Sequence, residues 1–544
     1  MRRGNDRALS ILQRRLPEVV VLASVALLVA RLAPDVEGKP LFEDEAVTGL
    51  ISARPLGEAL AVVMWDRGGA PAHFLLSHAV LTAHSSAEAV RWLSVALALA
   101  TVVVCFDLGR RLGGPVAGAG AAVVAATSGM LAVYGSFGRM YALFALAAAL
   151  AADLFVRALR RPGARPAAAA AAAAWLLPAA HPYGGVAVAV EAVVALVLWR
   201  GRDLSPALPA AAIAVAMLPF AVADLRLADR FAVGAEGGRS LATPGEAWEQ
   251  VGTAVRGFAG GSGAPLVAAC ALAALGLVVL ARREPAVAAL TVLWVAVPPV
   301  LFVLVETGSE PDLSPRHLIY ALPLWSAAVG VGAATLLRAL PPPGRIGLGC
   351  ALALLALLGS QGVADPRSVT YTAGLGSRGS VQAPAAWLRK SVVEGDVLYP
   401  YASVFLAGLP EAGSAVALPR AHADQIVRAL ERADLPAGAL YVAVPRAGAP
   451  VAETRMERVL ARGDSAHAFP SWLLVRARGP FPDEQAVLQA AVRALVAARA
   501  SLIHPEDEQR GYIRLNLDVL CAALESLGES CGQGARAPAR LSTN

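Results

Sequence analysis

The sequence predicts an α-helical polytopic membrane protein of about eleven transmembrane helices, followed by a C-terminal extracytoplasmic α/β domain. Of the 544 residues, 57% are hydrophobic and only 16% are charged. The mean hydropathy of +0.57 is too high for a chain of this length that must cover a soluble surface. Apolar runs of about 20 residues recur as far as residue 362, and arginines collect in alternate turns between them.

The predicted spans are the runs that are long enough to cross the hydrocarbon layer of a bilayer. They lie near 17–33, 89–108, 115–134, 141–157, 167–181, 183–199, 206–223, 264–280, 285–305, 317–337 and 346–362. The fifth and sixth spans have the weakest signal, because the fifth is nearly polyalanine and contains Pro178. Losing both spans would preserve the topology of the others.

The arginines predict the orientation of the chain. Every turn that is cytoplasmic when the N-terminus is inside is basic, as the positive-inside rule requires. These turns carry Arg2, Arg3, Arg7, Arg14, Arg15, Arg110, Arg111, Arg157, Arg160, Arg161, Arg165, Arg200, Arg202, Arg282, Arg283, Arg338 and Arg345. An odd number of spans then places the C-terminal part outside. We interpret the net charge of +6 as this bias and expect no nucleic-acid partner.

The domain boundaries follow from the end of the apolar runs. We expect residues 1–362 to form the multi-span module, with outer loops at 34–88 and 224–263. Each loop contains a short amphipathic stretch: Pro55 to Met64 in the first, and a segment that begins with the capping pattern Thr243-Pro244-Gly245-Glu246 in the second. The first span has a basic leader but no convincing cleavage site, so we expect it to stay as an anchor.

The period of the sequence changes after residue 363. Helical and strand patterns alternate from 382 to 476, and two more helical stretches follow at 483–501 and 507–527. We therefore predict an extracytoplasmic α/β domain at 363–530 and a disordered tail at 531–544. Cys521 and Cys531 fall near its end, and the sequence leaves open whether they pair or stay free thiols.

An acidic segment follows the first span on the predicted outer side. It reads Leu41-Phe42-Glu43-Asp44-Glu45-Ala46 and lies in the first outer loop. Such a run is often only solvated surface, but a carboxylate partly buried beneath outer loops can act as a general base. No cofactor is identified; a divalent metal held by these carboxylates and a distant histidine stays open.

A second group of polar residues lies where other spans meet the same outer face. It comprises Tyr134, Arg139, Tyr141, His181, Tyr183, Arg316, His317 and Tyr320. Arginine at the outer ends of spans runs against the inward bias of the chain, and its planar fork suits a phosphate. Snorkelling to lipid headgroups or ion pairing with the acidic segment would also explain Arg139 and Arg316.

Five short motifs follow one another along the chain: the acidic pair Asp44-Glu45, Gly69-Ala70-Pro71-Ala72-His73-Phe74, Gly138-Arg139-Met140-Tyr141, His181-Pro182-Tyr183 and Ser314-Pro315-Arg316-His317. Together these motifs resemble integral-membrane glycosyltransferases of the GT-C fold. The resemblance is greatest to glycosyltransferase family 39, the class of protein O-mannosyltransferases and lipid A aminoarabinose transferases, and it spans roughly residues 15–362. Family members often show His-Pro-Pro where this chain has Gly69 to His73, so no role is assigned to His73.

The resemblance implies an activity and a role for each matching residue. It implies inverting transfer of a sugar from a polyprenyl-phosphate donor to a lipid, glycan or protein acceptor at the extracytoplasmic face, among membrane lipids. Asp44 would act as general base with Glu45 beside it. Arg139 and Arg316 would neutralise the departing phosphate, with Tyr141 and His317 in the same phosphate site. His181 and Tyr183 would line the substrate.

Two other functions compete with this one. A polytopic lipid or solute transporter commonly has ten to twelve spans, but it places polar groups near the middle of the membrane. A noncatalytic envelope assembly protein would use the bundle only as an anchor, and it would leave the acidic segment and the outer arginines unexplained. Convergence of Asp44, Arg139 and Arg316 would favour the enzyme.

Overall fold

The computed structural model describes residues 2–36, 43–66, 70–84, 86–161, 163–198, 244–304, 315–341, 379–400, 415–418, 423–431, 435–446, 448–505 and 507–532, with single positions or short stretches between them. These residues fall into two compact units. The first lies within Met1–Glu37, Ile51–Leu227 and Ser240–Tyr371, and the second lies within Gly38–Leu50, Ala228–Arg239 and Thr372–Asn544.

The first unit is helical throughout its described part. With α2, which crosses the boundary of the two units, its elements are α1 (Arg2–Val36), α2 (Glu43–Ser52), α3 (Leu56–Asp66), α4 (Ala72–Ala83), α5 (Ala87–Gly113), α6 (Pro115–Thr127), α7 (Gly129–Tyr134), α8 (Tyr141–Arg160), α9 (Ala164–Ala180), α10 (Gly184–Leu198), α11 (Pro244–Phe258), α12 (Ala264–Arg283), α13 (Pro285–Leu304), a 3-10 helix (Pro315–Ala321) and α14 (Leu322–Ala339).

Several of these helices are suited to a membrane. In the part of the chain that the structure describes, the segments long and apolar enough to cross one are Arg15–Val36, Glu88–Gly113, Tyr141–Arg160, Ala264–Arg283 and Pro315–Ala339, and shorter apolar helices accompany them. The predicted polytopic helical class is confirmed. The total of eleven spans stays a prediction, because most of 206–223 and about half of 346–362 lie outside the described residues.

The third predicted span, 115–134, is broken in the structure. The backbone of Ser128 is extended, and its hydroxyl accepts a hydrogen bond from the N–H of Leu131 at 3.1 Å. This is an N-cap, so α6 ends and α7 begins at Ser128. The short helix α7 then leads into the turn that precedes α8.

Glycines allow the central helices to pack closely. A Cβ at Gly276 of α12 would lie 1.9 Å from the carbonyl oxygen of Ala328 in α14, and a Cβ at Gly332 would lie 1.9 Å from the carbonyl oxygen of Leu272. Neither separation is compatible with a side chain. The two backbones therefore touch at a contact that only glycine permits, as small residues do in membrane helix pairs.

Ion pairs join the arginine-rich ends of α5 and α8. Arg111 contacts Asp153 at 2.8 Å, and Arg157 contacts Asp153 at 2.6 Å and Asp107 at 2.8 Å. The carboxylate of Asp153 is buried, so two guanidinium groups supply its charge partners. Two of the predicted cytoplasmic turns thus meet at one end of the bundle, and their side of the membrane stays a prediction.

Short helices occupy the predicted outer loops. The expected amphipathic stretches are confirmed as α3 and α11, and α11 buries Ala247, Val251, Ala254 and Phe258 while Trp248 is half exposed. The structure corrects one expectation: Glu43, Asp44 and Glu45 are not in a loop but form the first turn of α2. Carboxylates are stabilised there, because the helix N-terminus carries a partial positive charge.

A proline determines how α13 holds the 3-10 helix. Pro298 lies inside α13 and has no N–H to bond the carbonyl of Trp294 four residues earlier. The buried hydroxyl of Tyr320 donates to that carbonyl at 2.8 Å, and the Trp294 indole N–H donates to the carbonyl of Ala187 in α10 at 3.1 Å. The two bonds tie the 3-10 helix, α13 and α10 together.

The second unit contains a mixed five-stranded sheet in the order β2-β1-β3-β5-β4. Its elements after α2 are α15 (Gly379–Ser391), β1 (Val397–Tyr399), β2 (Val416–Ala417), α16 (Ala423–Glu431), β3 (Ala437–Pro445), α17 (Glu453–Glu457), β4 (Ser465–Ala468), β5 (Trp472–Phe481), α18 (Glu484–Ser501) and α19 (Asp507–Ser526). β1 is parallel to β2 and β3, whereas β5 is antiparallel to β3 and β4.

Helices cover both faces of this sheet. The larger core packs residues of β3 and β5 against α16, α18 and α19, and a smaller core on the other face includes Ala385 and Leu388 of α15. A strand that is buried on both faces has an almost continuous run of apolar residues in its sequence. β3 has such a run. The α/β class predicted for this part of the chain is confirmed.

Cys521 and Cys531 are joined by a disulfide in the second unit. The bond settles the choice that the sequence left open between paired and free thiols. It also falls on the predicted tail boundary at 531, where Cys531 is buried; residues 533–544 lie outside the described part of the chain.

We predict that Tyr320→Phe lowers the free energy of unfolding by about 1–3 kcal/mol, because the buried Trp294 carbonyl loses its donor. Adding Pro298→Ala supplies an N–H from within α13, so the double variant should recover part of this loss. Thermal unfolding of the wild type and the three variants in detergent measures the coupling. Strictly additive effects of the two substitutions would contradict this explanation.

Candidate functional site

Eight rings meet where α7, α8, the α9–α10 turn and the 3-10 helix converge. Adjacent ring centroids lie between 4.3 Å, for Tyr183 and His317, and 6.3 Å, for Tyr134 and Phe137. The members of this aromatic cluster are Tyr134, Phe137, Tyr141, Phe144, His181, Tyr183, His317 and Tyr320. The cluster therefore unites three segments that are far apart in sequence.

Local structure explains how each segment presents its rings. Tyr141 is the first residue of α8, and Phe144 follows it at helical spacing on the same face. Helix α9 ends at Ala180 with His181 as its C-cap, and α10 begins at Gly184, where an added Cβ would lie 2.2 Å from the backbone of Leu177. A glycine is required for so tight a return between two helices.

Both predicted arginines lie at this cluster. The Arg316 guanidinium carbon is 5.8 Å from the centroid of the Tyr141 ring, and the Arg316 Nε–H donates to His317 Nε2 at 3.4 Å. The charges of Arg139 and Arg316 both lower the pKa of His181. The two guanidinium groups are therefore close to the same buried imidazole, although their residues are far apart in the chain.

His181 is held neutral between these cations. Its ring is buried, and Nδ1 accepts the backbone N–H of Tyr183 at 3.2 Å. Nε2 therefore carries the proton of the neutral ring. Burial lowers the pKa of His181 to about 3, and the charges of Arg139 and Arg316 act in the same direction. At neutral pH the two arginines, and not this histidine, supply positive charge to the cluster.

His73 joins α4 to the turn that carries Arg139. It is buried, and its Nε2 lies 3.3 Å from the carbonyl oxygen of Gly138. Burial lowers the pKa of His73 to about 4; the hydrogen bond to Gly138 raises it, and the charge of Arg139 lowers it. A second neutral imidazole thus lies beside Arg139.

The acidic residues are described only in part. Asp44 and Glu45 are in the first turn of α2, where the Glu45 side chain is buried. The side chain of Asp44 lies outside the described residues, so its role as general base stays a prediction. In the part of the chain that the structure describes, no three His, Cys, Asp or Glu side chains are grouped to hold a metal ion.

The structure brings together most of the residues that the sequence selected. Arg139, Arg316, Tyr141, His317, His181 and Tyr183 all lie at the aromatic cluster. Sequence reasoning missed Phe137 and Phe144, which contact Tyr141 and His181. The spacing of Phe144 from Tyr141, three residues within α8, is the helical-face signal that could have found Phe144. Phe137 lies in the irregular turn before α8, where no helical period applies.

Solved membrane proteins with a similar structure include the following two. The structure matches ArnT from Cupriavidus metallidurans in the apo state with a TM-score of 0.51 and 13% identity, covering 84% of this chain and 97% of that chain. It also matches the archaeal oligosaccharyltransferase AglB from Archaeoglobus fulgidus, in complex with an inhibitory peptide and a dolichol-phosphate, with a TM-score of 0.50 and 10% identity, over 79% of this chain and 70% of that chain.

These likenesses show the fold. At such low identity the common feature is the helical architecture, and it confirms the GT-C fold that the motifs predict. No protein-family model matches the sequence, and no curated protein sequence matches it significantly.

The buried histidines predict a loss of stability in acid. The unfolded chain protonates histidine near pH 6.5, whereas His181 in the fold does so only near pH 3. The unfolded state therefore binds more protons, and stability falls as the pH drops below about 6.5. Between pH 7 and pH 5 the contribution of His181 should fall by up to about 2 kcal/mol.

Thermal unfolding at pH 7 and pH 5 checks this prediction. His181→Gln should lose less stability over this interval than the wild type, because glutamine does not titrate. An equal loss in both proteins would contradict a neutral, buried His181.

Proposed function

We propose that this protein is a membrane glycosyltransferase. It transfers a sugar from a polyprenyl-phosphate donor to an acceptor at the extracytoplasmic face and inverts the anomeric carbon. The observation that carries the proposal is the convergence of Arg139 and Arg316 on the buried, neutral His181 at one end of an apolar helical bundle.

Two arginines suit the charge that develops on the donor. When the bond between the sugar and the phosphate breaks, the phosphate oxygen gains an electron pair. Arg139 and Arg316 would neutralise that charge through paired, charge-assisted hydrogen bonds. Tyr141 and His317, which contact Arg316, would hold its guanidinium in place. A neutral His181 can donate its Nε2–H without adding charge.

The transfer is a single displacement. The acceptor oxygen attacks the anomeric carbon, its proton passes to the carboxylate of Asp44, and polyprenyl phosphate leaves from the opposite face. One displacement inverts the configuration of that carbon. Glu45 is the neighbouring carboxylate. We infer the role of Asp44 from its match to the acidic residue that the family carries in the first outer loop.

The rings of the cluster would contact the sugar. Tyr183 and His317 stack with their centroids 4.3 Å apart, and both Phe137 and Tyr183 are partly exposed. Aromatic side chains with a few placed polar groups commonly line ligand sites. This arrangement supports the assignment of His181 and Tyr183 to the substrate.

The fold supports a lipid donor. AglB, whose fold this chain shares at a TM-score of 0.50, was solved with a dolichol-phosphate. ArnT, at a TM-score of 0.51, is matched over 97% of its length. We take a polyprenyl phosphate as the donor class for this chain, with a lipid, glycan or protein as acceptor.

The disulfide and the arginines support the proposed orientation. Cys521 and Cys531 are bonded, which is typical of an extracytoplasmic compartment. The opposite end of α8 carries the arginine-rich turns, which the positive-inside rule assigns to the cytoplasm. The N-terminus would then be cytoplasmic and the C-terminal domain extracytoplasmic.

We predict that one of a panel of radiolabelled polyprenyl-phosphate monosaccharides loses its sugar to the purified protein. Arg139→Ala and Arg316→Ala should each lower the rate by about 10²–10³-fold, because one stabilising cation is lost. Asp44→Asn should lower it by about 10²–10⁴-fold. Arg282→Ala is the matched control, since Arg282 is exposed at the opposite end of the bundle and should have wild-type activity.

The outcome distinguishes the enzyme from its rivals. Folded arginine variants that turn over as fast as the wild type would overturn the phosphate assignment. Uptake of a donor into vesicles without release of its sugar would favour a transporter.

We also predict the redox state of the C-terminal domain. Three of the five cysteines are free, so a polyethylene-glycol maleimide should add three groups to the denatured protein and five after reduction. In a bacterial host that lacks its periplasmic thiol oxidase, five groups should add without reduction. Protection of Cys521 and Cys531 that does not depend on this oxidase would contradict the proposed orientation.

A further inference from the structure

We propose that His73 is a positioning residue, which anchors the turn that carries Arg139 and so sets where this guanidinium meets the donor phosphate. The anchoring is argued from the hydrogen bond between His73 and Gly138, whereas its effect on phosphate binding rests on the proposed function.

In the hydrogen bond between His73 and Gly138, the imidazole must be the donor. His73 is in the first turn of α4, and its Nε2 lies 3.3 Å from the carbonyl oxygen of Gly138, 65 residues later in the chain. A carbonyl only accepts, so Nε2 carries the proton and donates it. Ser77, one helical turn further along α4, places its Oγ 3.4 Å from the same nitrogen.

The anchored carbonyl belongs to the residue directly before Arg139. The segment between α7 and α8 is an irregular turn, in which the Arg139 N–H donates to the carbonyl of Phe137 at 2.7 Å. Outside a helix or a sheet, carbonyls must find partners elsewhere when they are buried. His73 supplies a partner to Gly138, and it thereby links the predicted first outer loop to the turn that bears the arginine.

The imidazole performs this task without adding charge. His73 is 1% exposed, and Nδ1 has no hydrogen-bond partner among the residues that the structure describes. Burial lowers its pKa to about 4, the bond to Gly138 raises it, and the charge of Arg139 lowers it. A protonated His73 would place a second cation beside Arg139, so the neutral form is the one compatible with this arrangement.

A second histidine of α4, His78, is a matched control for His73. His78, five residues further on, uses Nδ1 to bind the carbonyl of Ser52 at 2.8 Å. Both histidines therefore attach α4 to a distant carbonyl, but only His73 reaches the turn of Arg139. The two hydrogen bonds are matched in kind and differ in the segment they hold.

Hydrogen exchange measured by mass spectrometry tests the anchoring on the full chain in detergent. His73→Leu should accelerate amide exchange in the segment 135–140 and leave α8 unchanged. His73→Gln should restore slow exchange, because its amide nitrogen can take the place of Nε2–H. His78→Leu should leave 135–140 unchanged. Wild-type exchange at 135–140 in a folded His73→Leu variant would overturn the proposal.

Binding of undecaprenyl phosphate in micelles then tests the consequence. His73→Leu should weaken binding by about tenfold, equivalent to about 1.4 kcal/mol. It should have no further effect in an Arg139→Ala background, since its action passes through that guanidinium. An equal loss in that background would show a merely structural role and overturn the positioning claim.

The two readouts separate two kinds of failure. Faster exchange at 135–140 in His73→Leu, with Arg139→Ala binding undecaprenyl phosphate as tightly as the wild type, would support the anchoring and overturn the proposed phosphate site. Slow exchange at 135–140 in the His73→Leu variant would overturn the anchoring, whatever the binding measurement shows.

Discussion

Buried polar groups in a membrane protein need partners from the protein, because the hydrocarbon offers none. In this chain the polar contacts of α8 concentrate at its two ends. The last turn carries Arg157 and Arg160, which pair with Asp153 and Glu284, and the other end begins at Tyr141 in the aromatic cluster. Twenty helical residues separate these ends by about 30 Å, which is the thickness of the hydrocarbon layer. The length of α8 thus fixes the distance between the arginine-rich turns and the candidate site.

The electrostatics of the site depend on which groups stay neutral. His181 is buried beside two arginines, and its Nδ1 accepts a backbone N–H. The ring is therefore neutral and adds no third positive charge to the site. The positive potential comes from guanidinium groups that are charged at every relevant pH. The positive charge that Arg139 and Arg316 supply should therefore change little across the neutral range, while the stability of the fold itself declines in acid.

The sequence was sufficient for the helical class and for much of the cluster. Arg139, His181 and Arg316 were found because each follows or precedes an apolar run on the same predicted face, so topology alone brings them together. The helical state of Glu43 to Glu45 was missed, since three adjacent carboxylates resemble a solvated loop unless a helix begins there. The contacts of His73 with Gly138 and of Tyr320 with Trp294 join residues that are distant in the chain. No local pattern encodes such pairs, because tertiary packing selects them.

The central claim is that Arg139 and Arg316 form one phosphate site. Its most direct test is a structure determined with undecaprenyl phosphate. We predict phosphate density within hydrogen-bond distance of both guanidinium groups, beside Tyr141 and His317. Density at the opposite end of the bundle, among Arg110, Arg111 and Arg157, would contradict it, since those arginines belong to the predicted cytoplasmic turns.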